Sequence, residues 1–300
     1  MILVSCVDPY FKNDYDDNTP TSGKLKIQYD EGLALHVLNQ VYTFESQYHN
    51  AHVEVKETTE NEAIEAMYKD SCRAIIISRP LSEKEMKQFA SKQLVPKFSI
   101  VAYSGITFIA NASLPLSSIS YTALQKLLGQ SDLLTDSLGN QITVQIILDK
   151  KNSSVIHYLS DSVLQGKKFA AHCAVLNSSK EAIEYVIEHK NAIACIDYAW
   201  LSDVDDPLYK NNKDLLKFLA VQKDTSKAIY PSQSSFKLKT YPLMRGVYVY
   251  RRTGEFTLAK GLESFIAGPK GQMTFLKQGL LPSVQQERNI HVNFEPVQSP

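Results

Sequence analysis

YPLMRGVYVYRRTGEFTLAKGLESFIAGPKGQMTFLKQGLLP, residues 241–282, is the stretch that decides the fold class of this chain. β-branched and aromatic residues near its start predict a strand, and apolar residues at helical spacing then predict a helix. Gly268 suits the left-handed position that ends a helix, and Pro269 can only open the next one. Gly279 is expected to end this second helix in the same way. The stretch therefore predicts a strand followed by two short helices.

The composition limits the classes of protein that the chain can belong to. Its 300 residues are 44% hydrophobic, which is enough for two packed domains. Lys plus Arg and Asp plus Glu both number 32, and this zero net charge argues against a nucleic-acid partner. No run of about 18 apolar residues occurs, so no membrane-spanning helix is predicted.

The first residues indicate a compartment. Leu3-Val4-Ser5-Cys6 resembles the lipobox of bacterial lipoproteins, in which the cysteine is lipidated and becomes the first mature residue. Residues 1–5 would then be the remnant of a signal peptide, and the polar, acidic residues 6–23 a flexible tether. The acidic run resembles that of surface-exported lipoproteins of the Bacteroides group. We expect a cell-envelope protein anchored only through the lipid on Cys6; the alternative is a cytosolic chain with an incidental cysteine.

The other cysteines give no sign of a redox or metal site. Cys72, Cys173 and Cys195 form no CxxC pair. Cys72 and Cys195 lie in apolar, strand-like sequence, where a small buried side chain is expected. We expect no disulfide among the three.

Strands and helices alternate along the chain, which predicts βαβ units and an α/β fold with mainly parallel sheets. Capping boxes, at Ser82 with Glu85 and at Ser178 with Glu181, indicate two helix starts. The predicted strands span residues 24–29, 53–56, 74–77, 98–111, 142–148 and 192–196, and the clearest helices span 33–48, 60–69 and 121–128. Two crossings divide the chain into a discontinuous first lobe, 24–108 with 240–292, and a second lobe, 109–239.

Four segments in order resemble the phosphate-binding family of periplasmic solute-binding proteins. They are AIIISRPLSEKE (74–85), FIANASLPLSSISYTALQKLLG (108–129), LDKKNSSVIHYLSDSVL (148–164) and the stretch 241–282. The resemblance spans nearly the whole chain from Lys24. It implies a two-lobe periplasmic-binding-protein type II fold, with a small oxyanion, phosphate first, held in the interlobe cleft. It also implies a monomeric receptor that delivers the ion to an ABC-type membrane transporter.

The resemblance places the candidate ligand donors at strand ends and helix starts. Ser78 and Arg79 follow the predicted strand 74–77, and Asn152, Ser153 and Ser154 stand where a helix begins. Hydroxyls, free backbone N–H groups and a guanidinium suit a dehydrated oxyanion. The alternatives are that the serines are simple N-caps and that Arg79 forms a salt bridge.

The first loop departs from the family pattern. Tyr29-Asp30-Glu31-Gly32 stands where a Gly-Ser or Thr-rich turn is expected. Two carboxylates would repel an anion unless one is protonated or accepts from a protonated phosphate oxygen. We expect Asp30 to orient or accept from the ligand; its alternative role is to cap the next helix.

Enzyme motifs are missing. The sequence contains no G-x-S-x-G, H-E-x-x-H, G-x-x-x-x-G-K or G-x-G-x-x-G. His49 and His52 have no acidic or cysteine partner in register, and the acidic run 203–206 lacks the glycine and distal glutamate of a calcium loop. We therefore predict a protein that is not an enzyme and needs no metal or cofactor. The rival hypothesis is an envelope scaffold or interaction lipoprotein that keeps the fold but has lost the ligand.

Overall fold

A computed structural model describes residues 19–135, 139–223, 226–252 and 256–284 of the chain. Cys6, its predicted lipidation and residues 6–18 of the predicted tether lie outside the described residues. In the described ranges, no helix is both long enough and apolar enough to cross a membrane.

Thirteen strands and ten α-helices are present in these ranges. The strands are β1 (Gly23–Asp30), β2 (Ala51–Thr58), β3 (Ala74–Ile77), β4 (Lys97–Asn111), β5 (Ser118–Ser120), β6 (Leu133–Thr135), β7 (Gln141–Thr143), β8 (Gln145–Leu148), β9 (Cys173–Val175), β10 (Ala192–Asp197), β11 (Leu216–Gln222), β12 (Met244–Arg251) and β13 (Leu281–Pro282). The helices are α1 (Ala34–Gln47), α2 (Glu60–Tyr68), α3 (Glu83–Ser91), α4 (Tyr121–Gly129), α5 (Ser154–Tyr158), α6 (Ser179–Glu188), α7 (Pro207–Asn212), α8 (Gln233–Lys237), α9 (Leu258–Ala267) and α10 (Pro269–Lys277). A π-helical turn, Leu159–Val163, continues α5.

The main sheet has the order β2-β1-β3-β12-β4-β10-β8-β9. Its outer strands are parallel: β1 pairs with β2 and β3, and β8 pairs with β10 and β9. The central strands β12 and β4 run antiparallel to their neighbours. The sheet is therefore mixed, with a parallel βαβ arrangement on either side, and the predicted α/β class is confirmed.

Strand β4 belongs to both sides of this sheet. Residues up to Gly105 pair with β12, and residues from Ile106 pair with β10. We call β1–β3, β12 and the beginning of β4 the first half-sheet, and the end of β4 with β8–β11 the second half-sheet. The returning chain crosses beside β4, because the Ile106 N–H donates to the Leu243 carbonyl (3.0 Å). The lobe boundaries predicted at 108/109 and 239/240 stay a prediction.

Three local predictions need correction. The strand predicted at 142–148 is divided into β7, which pairs with β6 in a separate two-stranded sheet, and β8, which pairs with β10. Gly268 is extended (φ −84°, ψ 176°), not left-handed, because a following proline disfavours helical backbone at the residue before it. Gly279 is left-handed as predicted (φ +85°). Ser178 caps α6, but the Glu181 carboxylate accepts from Asn177 instead of closing the predicted box.

The predicted buried cysteines are in apolar cores. Cys72 and Cys195 are fully buried, and no disulfide joins them to each other or to Cys173. Strand β3 is buried along its whole length, as expected for an apolar run covered on both faces.

Candidate ligand-binding site

Acidic and hydroxyl side chains gather at the carboxyl ends of the parallel strands. β1 ends at Asp30, β3 is followed by Ser78, β8 by Asp149, and β10 ends at Asp197. Ligands of open α/β sheets bind outside this edge. The topology therefore brings side chains that are far apart in sequence to one edge.

Asp30 is the centre of this group. Its carboxylate is buried, and Oδ2 accepts from Ser154 Oγ (2.6 Å) and more distantly from Ser78 Oγ (3.4 Å). Three predicted ligand residues, Asp30, Ser78 and Ser154, are thus in contact. Asp30 and Ser78 belong to the first half-sheet, and Ser154 begins the helix that follows β8 of the second half-sheet. Asp30 does not use its side chain to cap the following 3₁₀ turn. Burial, then the neighbouring Glu60, raises the pKa of Asp30 well above its usual value of 3.8.

Arg245 is a central residue that sequence reasoning missed. Its guanidinium lies at the start of β12, is buried, and pairs with the Asp197 carboxylate, which also accepts from Ser104 Oγ (2.6 Å). Arg245 Nε has no hydrogen-bond partner among the described residues. The available signal was an arginine at the start of a strand rich in apolar and aromatic residues, a position that a buried charge occupies only when it is paired.

Arg79, a predicted donor, has its guanidinium occupied by the protein itself. It donates to both oxygens of Glu85 (2.8 and 2.9 Å) and to Asn61 (3.1 Å), and Nε lies 3.3 Å from Glu60. These contacts correspond to the salt-bridge alternative. Glu60 also accepts from the Ser78 backbone N–H (2.7 Å), so a built-in carboxylate fills that donor as well.

Ser153 is an N-cap. Its Oγ accepts from the Ile156 N–H (3.1 Å) and donates to Asp149 (2.6 Å), which matches the capping alternative. Burial raises the pKa of Asp149 to about 7. Asn152 is left-handed (φ +61°) and lines a different cavity of about 610 Å³. The structure therefore separates Asn152 and Ser153 from the Asp30 group.

A cavity of about 650 Å³ lies above this group. Ser78 and Ser154 offer hydroxyls to it, Arg245 and Arg79 line it with positive charge, and Tyr158 and Asp161 extend it along the helix that starts at Ser154. Hydroxyls and a buried guanidinium can hold a dehydrated oxyanion. Among the described residues no group of three or more histidine, cysteine or acidic side chains could hold a metal ion.

The fold of this chain is that of a two-part binding protein with a cleft at the strand ends. A sequence profile described as PBP superfamily domain matches residues 17–270, and the chain belongs to this family. The periplasmic-binding-protein fold predicted from the sequence is confirmed.

Among the solved structures that share this fold are two whose descriptions name phosphate transport. A Clostridium perfringens protein, solved with bound phosphate and described as a phosphate ABC transporter substrate-binding protein, is 16% identical; the match covers 87% of this chain and 100% of that one (TM-score 0.71). An ABC-type phosphate transport receptor from Vibrio cholerae is also 16% identical, over 86% of this chain and 99% of that one (TM-score 0.65). At this identity the likeness establishes the fold.

A curated relative matches part of the chain. Protein SphX of Synechococcus elongatus is 23% identical over 181 residues, which is 58% of this chain and 51% of SphX. The chain thus matches about half the length of this relative.

Proposed function

We propose that the protein is a solute-binding receptor that captures a small oxyanion and delivers it to a membrane transporter, with phosphate as the leading candidate ligand. The observation that carries the proposal is the meeting of Ser154 and Ser78 at Asp30, beneath a cavity that Arg245 also lines. Similar proteins from Clostridium perfringens and Vibrio cholerae, described by phosphate binding or transport, support the same ligand.

Asp30 decides how this cluster can accept an anion. A neutral Asp30 donates its own proton to Ser154 Oγ, which frees the serine hydrogen for a ligand oxygen. An ionised Asp30 instead accepts from a protonated phosphate oxygen. The raised pKa of Asp30 favours the neutral form compared with an ordinary aspartate.

The remaining parts of the proposal concern the assembly. Lipidation of Cys6 would hold the receptor at the cell envelope as a monomer, with residues 6–23 as the tether. Arg79 would keep Glu60 and Glu85 in place along the cavity wall, since its donors are used by these two carboxylates. A binding role without catalysis agrees with the family.

One observation favours the rival function, an envelope scaffold without a ligand. The strongest donors of the site already have carboxylate partners inside the protein: Ser154 with Asp30, the Ser78 N–H with Glu60, and Arg245 with Asp197. A ligand must therefore compete with these groups.

Titration calorimetry of the full chain, refolded to remove carried-over ligand, tests the proposal. Phosphate and sulfate are titrated into the unaltered protein, Ser154→Ala and Ser153→Ala. We expect phosphate binding that Ser154→Ala weakens at least about tenfold, the loss of one hydrogen bond to a charged group. Ser153→Ala removes the neighbouring hydroxyl, which caps the helix, and should weaken phosphate binding less than Ser154→Ala does. Folded protein that gives no heat with either anion would contradict the receptor and favour the scaffold.

A further inference from the structure

We infer that the ligand carries a cationic group beside its oxyanion, as an amine-bearing phosphate monoester or phosphonate does. This inference rests on the proposed oxyanion function and names the chemical class of the ligand. It depends on the size of the cavity, on the line of side chains along one helix face, and on the charge of the cavity wall.

The cavity offers more room than a bare tetrahedral oxyanion fills. At about 30 Å³ for each water-sized group, five heavy atoms fill roughly a quarter of its 650 Å³. Volumes of this size are typical of sites for organic molecules. The remaining space is lined by side chains that continue away from Ser154.

These side chains lie on one face of a single helix. Ser154, Tyr158 and Asp161 follow one another at helical spacing along α5 and the π-helical turn, and all three line the cavity. Seven residues of helix span roughly 10 Å. Hydrogen bonds of about 2.8 Å at each end leave a few ångströms between the two polar groups of a ligand, about the length of a two-carbon chain. Tyr158 stands between the two ends, beside that chain.

The outer end of the cavity carries negative charge, which favours a cationic group on the ligand. Asp161 is exposed and forms no ion pair with any described residue, whereas the Glu85 carboxylate is held by Arg79. An ammonium group of the ligand would offset the unpaired charge of Asp161. The inner end differs, because the guanidinium-bearing Arg245 lines it, is 95% buried, and has an Nε without a hydrogen-bond partner among the described residues.

Calorimetry with three probes tests the inference: inorganic phosphate, monoethyl phosphate and O-phosphoethanolamine, the last two differing by the amine. We expect O-phosphoethanolamine to bind up to about fivefold more tightly than monoethyl phosphate, as one exposed ion pair contributes. Asp161→Asn should remove most of this ratio. Asp205→Asn, which changes an exposed carboxylate elsewhere, should preserve it.

The outcomes separate the two proposals. If inorganic or monoethyl phosphate binds as tightly as O-phosphoethanolamine, the inference is wrong and the oxyanion receptor stands. An unchanged ratio in Asp161→Asn also overturns the inference. If a folded protein binds none of the three, the receptor function fails together with the inference.

Discussion

Glu31 and Ser179, 148 residues apart in the chain, are joined by two hydrogen bonds. The Ser179 backbone N–H and Oγ donate to the two carboxylate oxygens of Glu31, at 2.9 and 2.8 Å. Glu31 follows β1 in the first half-sheet, and Ser179 opens α6 on the second. This buried pair ties the two sides of the cleft together.

Replacing Glu31 should weaken the connection between the two half-sheets. Glu31→Ala leaves the buried donors of Ser179 unsatisfied, which should lower the free energy of unfolding by about 1–3 kcal/mol. Urea denaturation measures the loss, and hydrogen exchange should find faster exchange at the Ser179 amide. Glu181→Ala removes an exposed cap within one loop and is the control. An unchanged Ser179 amide in Glu31→Ala would mean that the pair does not hold the two sides.

Asp149 should make stability depend on pH. Burial raises its pKa from 3.8 to about 7, so the folded protein holds this proton more tightly than the unfolded chain does. The contribution is fully present below pH 4 and is lost as the pH rises to 7, by at most about 4 kcal/mol.

Asp149→Asn tests this expectation by denaturation between pH 4 and 8. The fall in stability with rising pH should become shallower, while the Ser153 hydrogen bond can be kept by the amide oxygen. Some slope should remain, since burial also raises the pKa of Asp30 and Glu31. Asp205→Asn should leave the profile unchanged. Equal profiles for Asp149→Asn and the unaltered protein would show that Asp149 is ionised throughout.

The buried pair of Arg245 and Asp197 should be strongly coupled. Arg245→Met or Asp197→Asn alone leaves a buried charge unpaired and should cost about 3–5 kcal/mol. The double variant should cost clearly less than the sum of the two. Guanidinium denaturation of all four proteins gives the coupling.

The exposed pair of Lys180 and Glu184 provides the control for that cycle. It spans one helical turn at the surface of α6. The same cycle there should give a coupling below about 1 kcal/mol. A coupling at Arg245 and Asp197 that is equally small would argue against an unpaired buried charge in the single variants.

Gly279 should tolerate alanine less well than Gly166. Both are left-handed, with φ of +85° and +80°, so alanine costs both about 1–2 kcal/mol of backbone strain. A Cβ at Gly279 would lie 2.0 Å from the Ser202 carbonyl oxygen, whereas one at Gly166 meets nothing within 4 Å. Thermal unfolding should find Gly279→Ala the less stable by at least about 1 kcal/mol. Equal melting temperatures would mean that the Ser202 backbone moves freely.

The sequence predicts those elements whose causes are local. The apolar run 74–77 predicts β3 with the correct bounds, and Ser82 with Glu85 predicts the start of α3. Both predictions depend only on residues that are neighbours in the sequence. The fold class and the family follow from several such segments in order.

The site was predicted only in part, because its contacts join distant residues. Asp30 and Ser154 are 124 residues apart, and Asp197 and Arg245 are 48 apart. Nothing local distinguishes Ser153, which caps a helix, from its neighbour Ser154, which bonds to Asp30. The direction of each side chain is set by the packed sheet, which no short window of sequence contains.

The place of β12 between β3 and β4 has a consequence for the order in which the sheet can assemble. β3 and β4 are made early and lie close in sequence, yet they do not pair with each other; each pairs with β12. Until residues 244–251 join them, the inner edges of both strands are open to wrong partners. The first half-sheet is therefore the last to close, and a chain that lacks β12 would expose two unpaired strand edges that favour aggregation.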